Sequence, residues 1–589
     1  MTSPPPSQHW LTRYANAQHT WTSHTSHNGT KSFKRRLGLV ETSFDVDGTH
    51  FGGRADMTAT LKLEINHQLP EQALRERIIL AWTLLRLKHV LLMSRVEASQ
   101  KGPREFVIDI PPSPASAIAA SKSSVTFLSD IGYTADLNDE DLHHHALNTT
   151  RIIQPGTCLS KLHVLPLIPV PDKPGHFECK FLIVIAHQIS DGLSAYVWFR
   201  EFIALLNTSV PQIHEDIRTA IHASAIEKRL PPAQEDLYPV VKGNVARQRW
   251  FWAIIRVLRF IQQPLKPTFT NPLRREKKVD GPLTLRPTYD KLFDYNVETR
   301  PPNNSGHVTA YLSLGASARL IKLCRGAKVS IGAGCFALAG MSMMAIYEAQ
   351  HLRRQSSSEV EEKGPVPAFG ASFPLNPRPW LTSPVGADSC MLAFSEGILM
   401  PFLPSDLPIE GRFRLIARIA NRELKAYQKR VPKAEDTTTG RDIGMSVLDK
   451  HAPARLLAMG YIGQLERIDG RLPPSQRSGF NPQGELPARV GAYGATCGVS
   501  SVGSTAAFFR PGEYNLDDIS TNGFAADYRG LRMGVRAREN EFLVGSSTDA
   551  AGIVGFGVSY DENAISQEAA RGWAKTVEGL LEKGDVSRL

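Results

Sequence analysis

The segment FLIVIAHQISDGLSAYVWFREFIALL, which begins at Phe181, constrains the fold more than any other part of the chain. Its first six residues are apolar without a polar break, which predicts a strand buried on both faces. The run LSAYVWFREFIALL that follows has helical character, and Asp191 stands where the N-cap of that helix would be. Between strand and helix lies His187, which forms an HxxxDG pattern with Asp191 and Gly192. A buried strand, a short turn and a helix therefore hold one imidazole at the strand's end.

Two readings of that imidazole follow from the spacing. In one, Asp191 only caps a helix and His187 is a core histidine with its hydrogen bonds satisfied. In the other, His187 is a neutral general base. It would take a proton from a substrate hydroxyl attacking a thioester carbonyl, then return a proton to the departing thiolate. An unperturbed imidazole, with a pKa of about 6.5, is mostly neutral at pH 7 and suits the task. Spacing alone leaves both readings open.

At 589 residues the chain is too long for one compact core, so two or more lobes are expected. Hydrophobic residues make up 42% and charged residues 21%, as in ordinary globular proteins. The 68 basic and 58 acidic residues leave a net charge of +10 spread over the chain. That is a mildly basic surface and no nucleic-acid footprint, although it would suit a polyanionic ligand such as CoA. Cys158, Cys179, Cys324, Cys335, Cys390 and Cys497 are scattered without a CxxC pair and read as reduced thiols, with neither a disulfide framework nor a zinc site. The start, MTSPPPSQHWLTRYANAQHT, has no apolar core of a secretory signal, and no run of about 18 apolar residues stands out. A cytoplasmic protein without integral membrane association is expected, with residues 1–30 a flexible lead-in.

ADMTATLKLEI alternates as a half-buried strand does, and LPEQALRERIILAWTLLRLKHVLL places Leu74, Ile78, Trp82 and Leu85 at helical spacing. Residues 209–300 are rich in Pro, Lys and Arg. They include a basic amphipathic helix, RQRWFWAIIRVLRF, whose apolar set Trp250, Trp252, Ile255, Leu258 and Phe260 is expected to pack on the protein's own core. ETRPPNNSGHV is the clearest linker. Beyond it the strand-and-helix pattern restarts, with a polar loop at 355–365 and a polar insert at about 426–490. This predicts an N-terminal lobe over 31–300 and a C-terminal lobe over 301–589, an α+β protein with two lobes of similar construction. The glycines of IGAGCFALAG read as close helix packing. His143, His144 and His145 form a run whose members cannot share one helix face, so it reads as a solvated surface. GxSxG, HExxH and GxxxxGK[ST] patterns are absent, and no metal ligand set is expected.

Further elements add to the HxxxDG motif. FPLNPRPWL holds Asn376 and Arg378 in a Pro-bracketed turn, VSSVG runs from Val499 to Gly503, and the chain closes on VSYDENAISQEAARGWAKTVEGLL. In this order they resemble the chloramphenicol acetyltransferase-like superfamily, which includes plant BAHD acyltransferases, peptide-synthetase condensation domains and fungal trichothecene O-acetyltransferases. RRLGLVETSFD and IILAWTLLRLKHVLL are similar to the start of the fungal enzymes, notably the trichothecene 15-O-acetyltransferase-like group. Ala186 stands where condensation domains usually carry a second histidine, and the DFGWG motif of BAHD enzymes is absent.

The resemblance implies a two-lobed fold, each lobe a mixed sheet flanked by helices, with an active-site tunnel between lobes. His187 matches the catalytic histidine. Asp191 matches an aspartate that pairs with an arginine, here Arg378, to shape the site, and Gly192 matches the motif glycine, allowing close backbone approach. Asn376 belongs to the same turn as Arg378. Ser500 or Ser501 would line the channel and help hold the oxyanion. The implied activity is O-acylation of a hydrophobic, hydroxylated fungal metabolite such as a trichothecene-like sesquiterpenoid. Acetyl-CoA would be a co-substrate with no bound cofactor, and the protein a monomer. A transferase fed by a carrier protein and a non-catalytic ligand-binding relative are the alternatives.

Overall fold

A computed structural model describes residues 10–26, 29–98, 104–261, 268–296, 304–355, 366–428, 447–488, 495–519 and 523–582. The apolar run of the motif forms the end of strand His176–Ile185, which lies between Met57–His67 and Ser160–Val164 with Ile183 opposite both Ala59 and Leu162. Both faces are covered, as the run predicts. Phe181, Ile183 and Ile185 join the main core with Trp82, Trp198 and Phe202. Leu182, on the other face, packs with Leu128, Leu142, Tyr289 and Phe293. Strand Met57–His67 is more buried than its alternation suggests. Thr58 and Thr60 are buried as well, and the Thr60 hydroxyl shares a 3.0 Å hydrogen bond with His143 Nδ1 on helix Asp139–Asn148.

The N-terminal lobe's sheet is completed by Val125–Phe127, parallel to Ser160–Val164, and at its other edge by Phe524–Val535. That last strand runs antiparallel to Met57–His67 from Phe524 opposite His67 to Val535 opposite Met57. The C-terminal lobe holds a second six-stranded mixed sheet in the order Ser305–Tyr311, Val554–Asp561, Phe542–Thr548, Cys497–Ser504, Phe369–Ser372 and Ile398–Met400. Cys497–Ser504 is parallel to both neighbours. Helix Ile331–Gln355 packs behind the sheet so closely that a methyl group on Gly340 would lie 3.2 Å from the ring of Phe369. Residues Ile331–Leu352 have a mean hydropathy of 1.3, apolar enough to cross a membrane, and 67% of that stretch is buried inside the lobe.

Several sequence expectations need correction. The division at residue 301 fails as a tertiary boundary, because Phe524–Val535 belongs to the N-terminal sheet; local pattern identifies a strand but not the sheet it joins. The 209–300 stretch is also divided. Trp252, Ile255, Phe269 and Leu273 enter the C-terminal core, whereas Tyr289 and Phe293 pack on the N-terminal lobe. Within helix Val245–Ile261 Trp252 and Ile255 are buried as expected, but Trp250 is 68% exposed. The flexible lead-in does not extend to residue 30. Trp10 and Tyr14 are buried against Trp252 and Tyr461, and Thr22–Thr25 pairs with Lys31–Arg36 in a small four-stranded sheet. Residues 1–9 lie outside the described residues, as do most of the expected 355–365 loop and residues 429–446 of the expected polar insert. The rest of that insert contains the amphipathic helix Pro453–Arg471, whose Leu456, Leu457 and Ile462 are core residues. His143 and His145 are buried, because helix Asp139–Asn148 is covered on more than one side.

Candidate active site

Strand His176–Ile185 ends at Ile185, and a turn through His187 and Ile189 leads into helix Gly192–Asn207. Asp191 caps that helix. Its Oδ1 accepts hydrogen bonds from the Ser194 backbone N–H and hydroxyl, both at 3.0 Å. A short polar side chain at the N-cap satisfies helix-end amides that would otherwise be unpaired. Oδ2 is committed elsewhere, accepting from Arg378 Nη2 at 2.8 Å and from the Met391 N–H at 3.0 Å.

Arg378 is held as firmly. Nη2 also donates to the Ser389 carbonyl at 2.8 Å and Nε to the Gly386 carbonyl at 3.1 Å. Asn376 Oδ1 accepts from the Arg378 backbone N–H at 3.1 Å and from Nη1 at 3.3 Å. Pro-bracketed and hydrogen-bonded on itself, the turn delivers one guanidinium to the motif aspartate. Asp191 thus faces Arg378, with no direct hydrogen bond to His187.

His187 is partly exposed. Its ring lies flat on Phe44, with centroids 4.0 Å apart and planes 1° from parallel, and Cys390 Sγ is 3.8 Å from Nδ1. Burial lowers its pKa below the usual 6.5, and the nearby positive charge of Arg538 lowers it further. Against these, a hydrogen bond to the residue's own backbone carbonyl favours a protonated ring nitrogen. Only Nδ1 can reach the carbonyl of its own residue, so the neutral ring carries its proton there and Nε2 keeps the lone pair. Among the described residues none hydrogen-bonds Nε2. The result is a neutral, oriented imidazole with an unoccupied basic nitrogen.

The Cys390 thiol is an unsuitable nucleophile despite this neighbour. Burial, with the negative charges of Asp191 and Glu41, pushes its pKa well above the ordinary thiol value. The thiolate is therefore disfavoured.

Between the two sheets lies a cavity of about 220 Å³ walled by Gly192 and Tyr196 of the motif helix, Ser500, Met533 of the crossing strand and Ser546. It shares His307, Thr309 and Arg532 with a neighbouring hollow of about 500 Å³, so the two are contiguous along the lobe boundary. Gly192 faces open space, since a methyl group there would meet nothing within 4 Å. Its value is room for something in the cleft, rather than the close approach of protein backbone expected from the sequence. Ser500 lines the cavity; Ser501 does not. On the alternating strand Cys497–Ser504, Ser501 turns to the opposite face, where a methyl group on Gly332 would lie 3.3 Å from its hydroxyl. His187 stands just before Gly192 and is not in the wall of this cavity.

Phe44, Cys390, Arg538 and Ser194 were not singled out from sequence. Ser194 had a signal, the Asp-x-x-Ser spacing of an N-cap pair. Phe44 and Arg538 sit far from the motif in sequence and had none. His143 and His307 also line the larger hollow, 5.4 Å apart between ring centres, both held neutral by burial, with His307 pushed down to about 4.

No protein-family model matches the sequence. No curated protein is similar to it in sequence. Solved structures do share the architecture. Trichothecene 15-O-acetyltransferase from Fusarium sporotrichioides superposes over 96% of this chain and 97% of its own with a TM-score of 0.62 and 12% identity. The condensation domain of the monacolin K polyketide synthase superposes over 93% of this chain and 96% of its own, with a TM-score of 0.50 and 11% identity. The chain thus shares its α+β fold, two mixed sheets flanked by helices, with a trichothecene 15-O-acetyltransferase and with a condensation domain.

Proposed function

We propose that the protein is an acyl-CoA-dependent O-acyltransferase that moves an acyl group, most simply acetyl, onto a hydroxyl of a hydrophobic secondary metabolite. The observation that carries this reading is the His187 ring, neutral, fixed through Nδ1 and open at Nε2. Nε2 takes the acceptor's hydroxyl proton as the oxygen attacks the thioester carbonyl, forming a C–O bond. The tetrahedral intermediate then collapses with cleavage of the C–S bond, and the proton on Nε2 passes to the sulfur. Both substrates are bound together, because the buried Cys390 thiol is a poor nucleophile and no acyl-enzyme is required. Ser500, at the cleft wall, is the candidate to hydrogen-bond the oxyanion. Asp191 and Arg378 shape the floor of the site.

For the acceptor, fold likeness to a fungal trichothecene 15-O-acetyltransferase supports a trichothecene-like sesquiterpenoid. The test is to incubate the purified protein with acetyl-CoA and a panel of hydroxylated terpenoids while following free-thiol release. Acceptor-dependent thiol release supports the reading. Turnover only with an acyl group on a phosphopantetheinylated carrier protein would replace it with a condensation-type transferase. Absence of turnover with either donor would leave a ligand-binding protein.

A further inference from the structure

A cavity of about 590 Å³ lies in the N-terminal lobe, away from the cleft between the sheets. Helices Glu71–Lys88 and Pro114–Lys122 wall it, with Arg95, Asp109 and Lys161 contributed by three strands. It shares no lining residue with the two hollows along the lobe boundary. Its volume is in the range that encloses a small organic ligand.

The charge in this wall is unbalanced. Asp109 is its one carboxylate, and Asp109 Oδ2 already accepts from Arg95 Nε at 3.1 Å. Arg86 and Lys161 ion-pair with no carboxylate among the described residues. Arg86 is only 6% exposed. Its Nε donates to the Leu92 carbonyl at 3.1 Å, and Nη1 donates to the Ala120 carbonyl at 3.1 Å and the Ser121 hydroxyl at 3.0 Å. Nη2 has no hydrogen-bond partner among the described residues. Burial lowers the pKa of this guanidinium to about 10, which leaves it charged at neutral pH.

A desolvated cation without a counter-charge is costly, and a carboxylate or phosphate group offers it a charge-assisted hydrogen bond. Three neutral oxygens fix the guanidinium in place, so Nη2 is presented without further ordering. Lys161 adds a second positive charge to the same wall. The rest of the lining includes Leu87, Met93, Ile110, Pro111 and Ala117, which suit an apolar body behind an anionic head. We propose that this cavity is a binding site for a small amphiphilic organic anion, held at its head by Arg86 and Lys161 and distinct from the acyl-transfer cleft.

The test uses octanoate and octyl phosphate as probes, with 1-octanol as the uncharged control, on the full chain. Calorimetry gives the affinities. Location is read from Cys158, which lines this cavity and alone of the six cysteines is not buried. Alkylation of Cys158 by iodoacetamide, followed by mass spectrometry, should be slowed saturably by the anionic probe that binds. Lys161→Gln breaks no ion pair with a described residue and should weaken that probe by about tenfold or more. Ala120→Trp, on the exposed side of its helix, should fill the cavity and abolish binding while the thermal melt is kept. Octanol should bind at least about tenfold more weakly than the anion. Binding of octanoate assigns a carboxylate head, and binding of octyl phosphate alone assigns a phosphate head. Failure of both anions to bind, or binding that leaves Cys158 unprotected, overturns the site. So does affinity unchanged in Lys161→Gln, or octanol binding as tightly as the anion. Displacement of the bound probe by CoA would also overturn it, by making the cavity part of the donor's path.

Discussion

Arg378 Nη2 donates to Asp191 Oδ2 across 2.8 Å, joining the Pro-bracketed turn of one half of the sequence to the strand–turn–helix motif of the other. The side chains are 9% and 5% exposed, so this is a desolvated pair whose remaining valences go to Ser194, Met391, Ser389 and Gly386. Removing one partner strands the other charge. Arg378→Ala is expected to cost about 3–5 kcal/mol of stability. A thermal-unfolding comparison checks this, and an unchanged melting temperature would show that the pair does not hold the site.

The acid limb of activity should lie below the ordinary histidine range. Burial and Arg538 both hold the folded-state pKa of His187 below 6.5, so the ring stays neutral, and basic, as pH falls to that value. Base catalysis is then lost as the pH passes through the lowered pKa. In a kcat/KM profile against pH the acid midpoint is expected below 6.5, and Arg538→Gln should move it upward.

Cys390, although beside His187, should be dispensable for chemistry. Cys390→Ala is expected to keep kcat within a few-fold, and mass spectrometry after mixing with acyl-CoA alone should find no acylated protein. A stable adduct on Cys390 would replace the ternary-complex mechanism with a covalent one.

Gly192 separates folding from access. The space beside it is open and its backbone is not left-handed, so Gly192→Ala should leave the melting temperature unchanged. A larger side chain at the same place, as in Gly192→Leu, should fold but fill the cleft, raising KM for the acceptor by about tenfold or more.

Much of this was legible in sequence where the signal is local. FLIVIA announced a strand buried on both faces, and the Asp-Gly step announced a capped helix. The Asp191–Arg378 pair came from family resemblance, since nothing in the spacing of residues 191 and 378 brings them together. What pattern could not supply was partnership over distance. Residues 524–535 were not singled out in sequence, and nothing local to them says that their strand partner is Met57–His67. Nothing about Phe44 or Arg538 points to His187, because stacking and through-space charge leave no periodic trace. Ser500 and Ser501 were inseparable until the strand's direction showed which one faces the cleft.

The central claim is that the Nε2 lone pair of His187 performs acyl transfer. Its most direct test is kcat for acceptor-dependent thiol release by His187→Ala, alongside a thermal melt to confirm that the fold is kept. Loss of general-base catalysis predicts a fall in kcat of at least about 10²-fold at an unchanged melting temperature. Turnover within a few-fold of the unaltered protein would contradict it, and His187 would then be a well-packed histidine beside a cleft that works by other means.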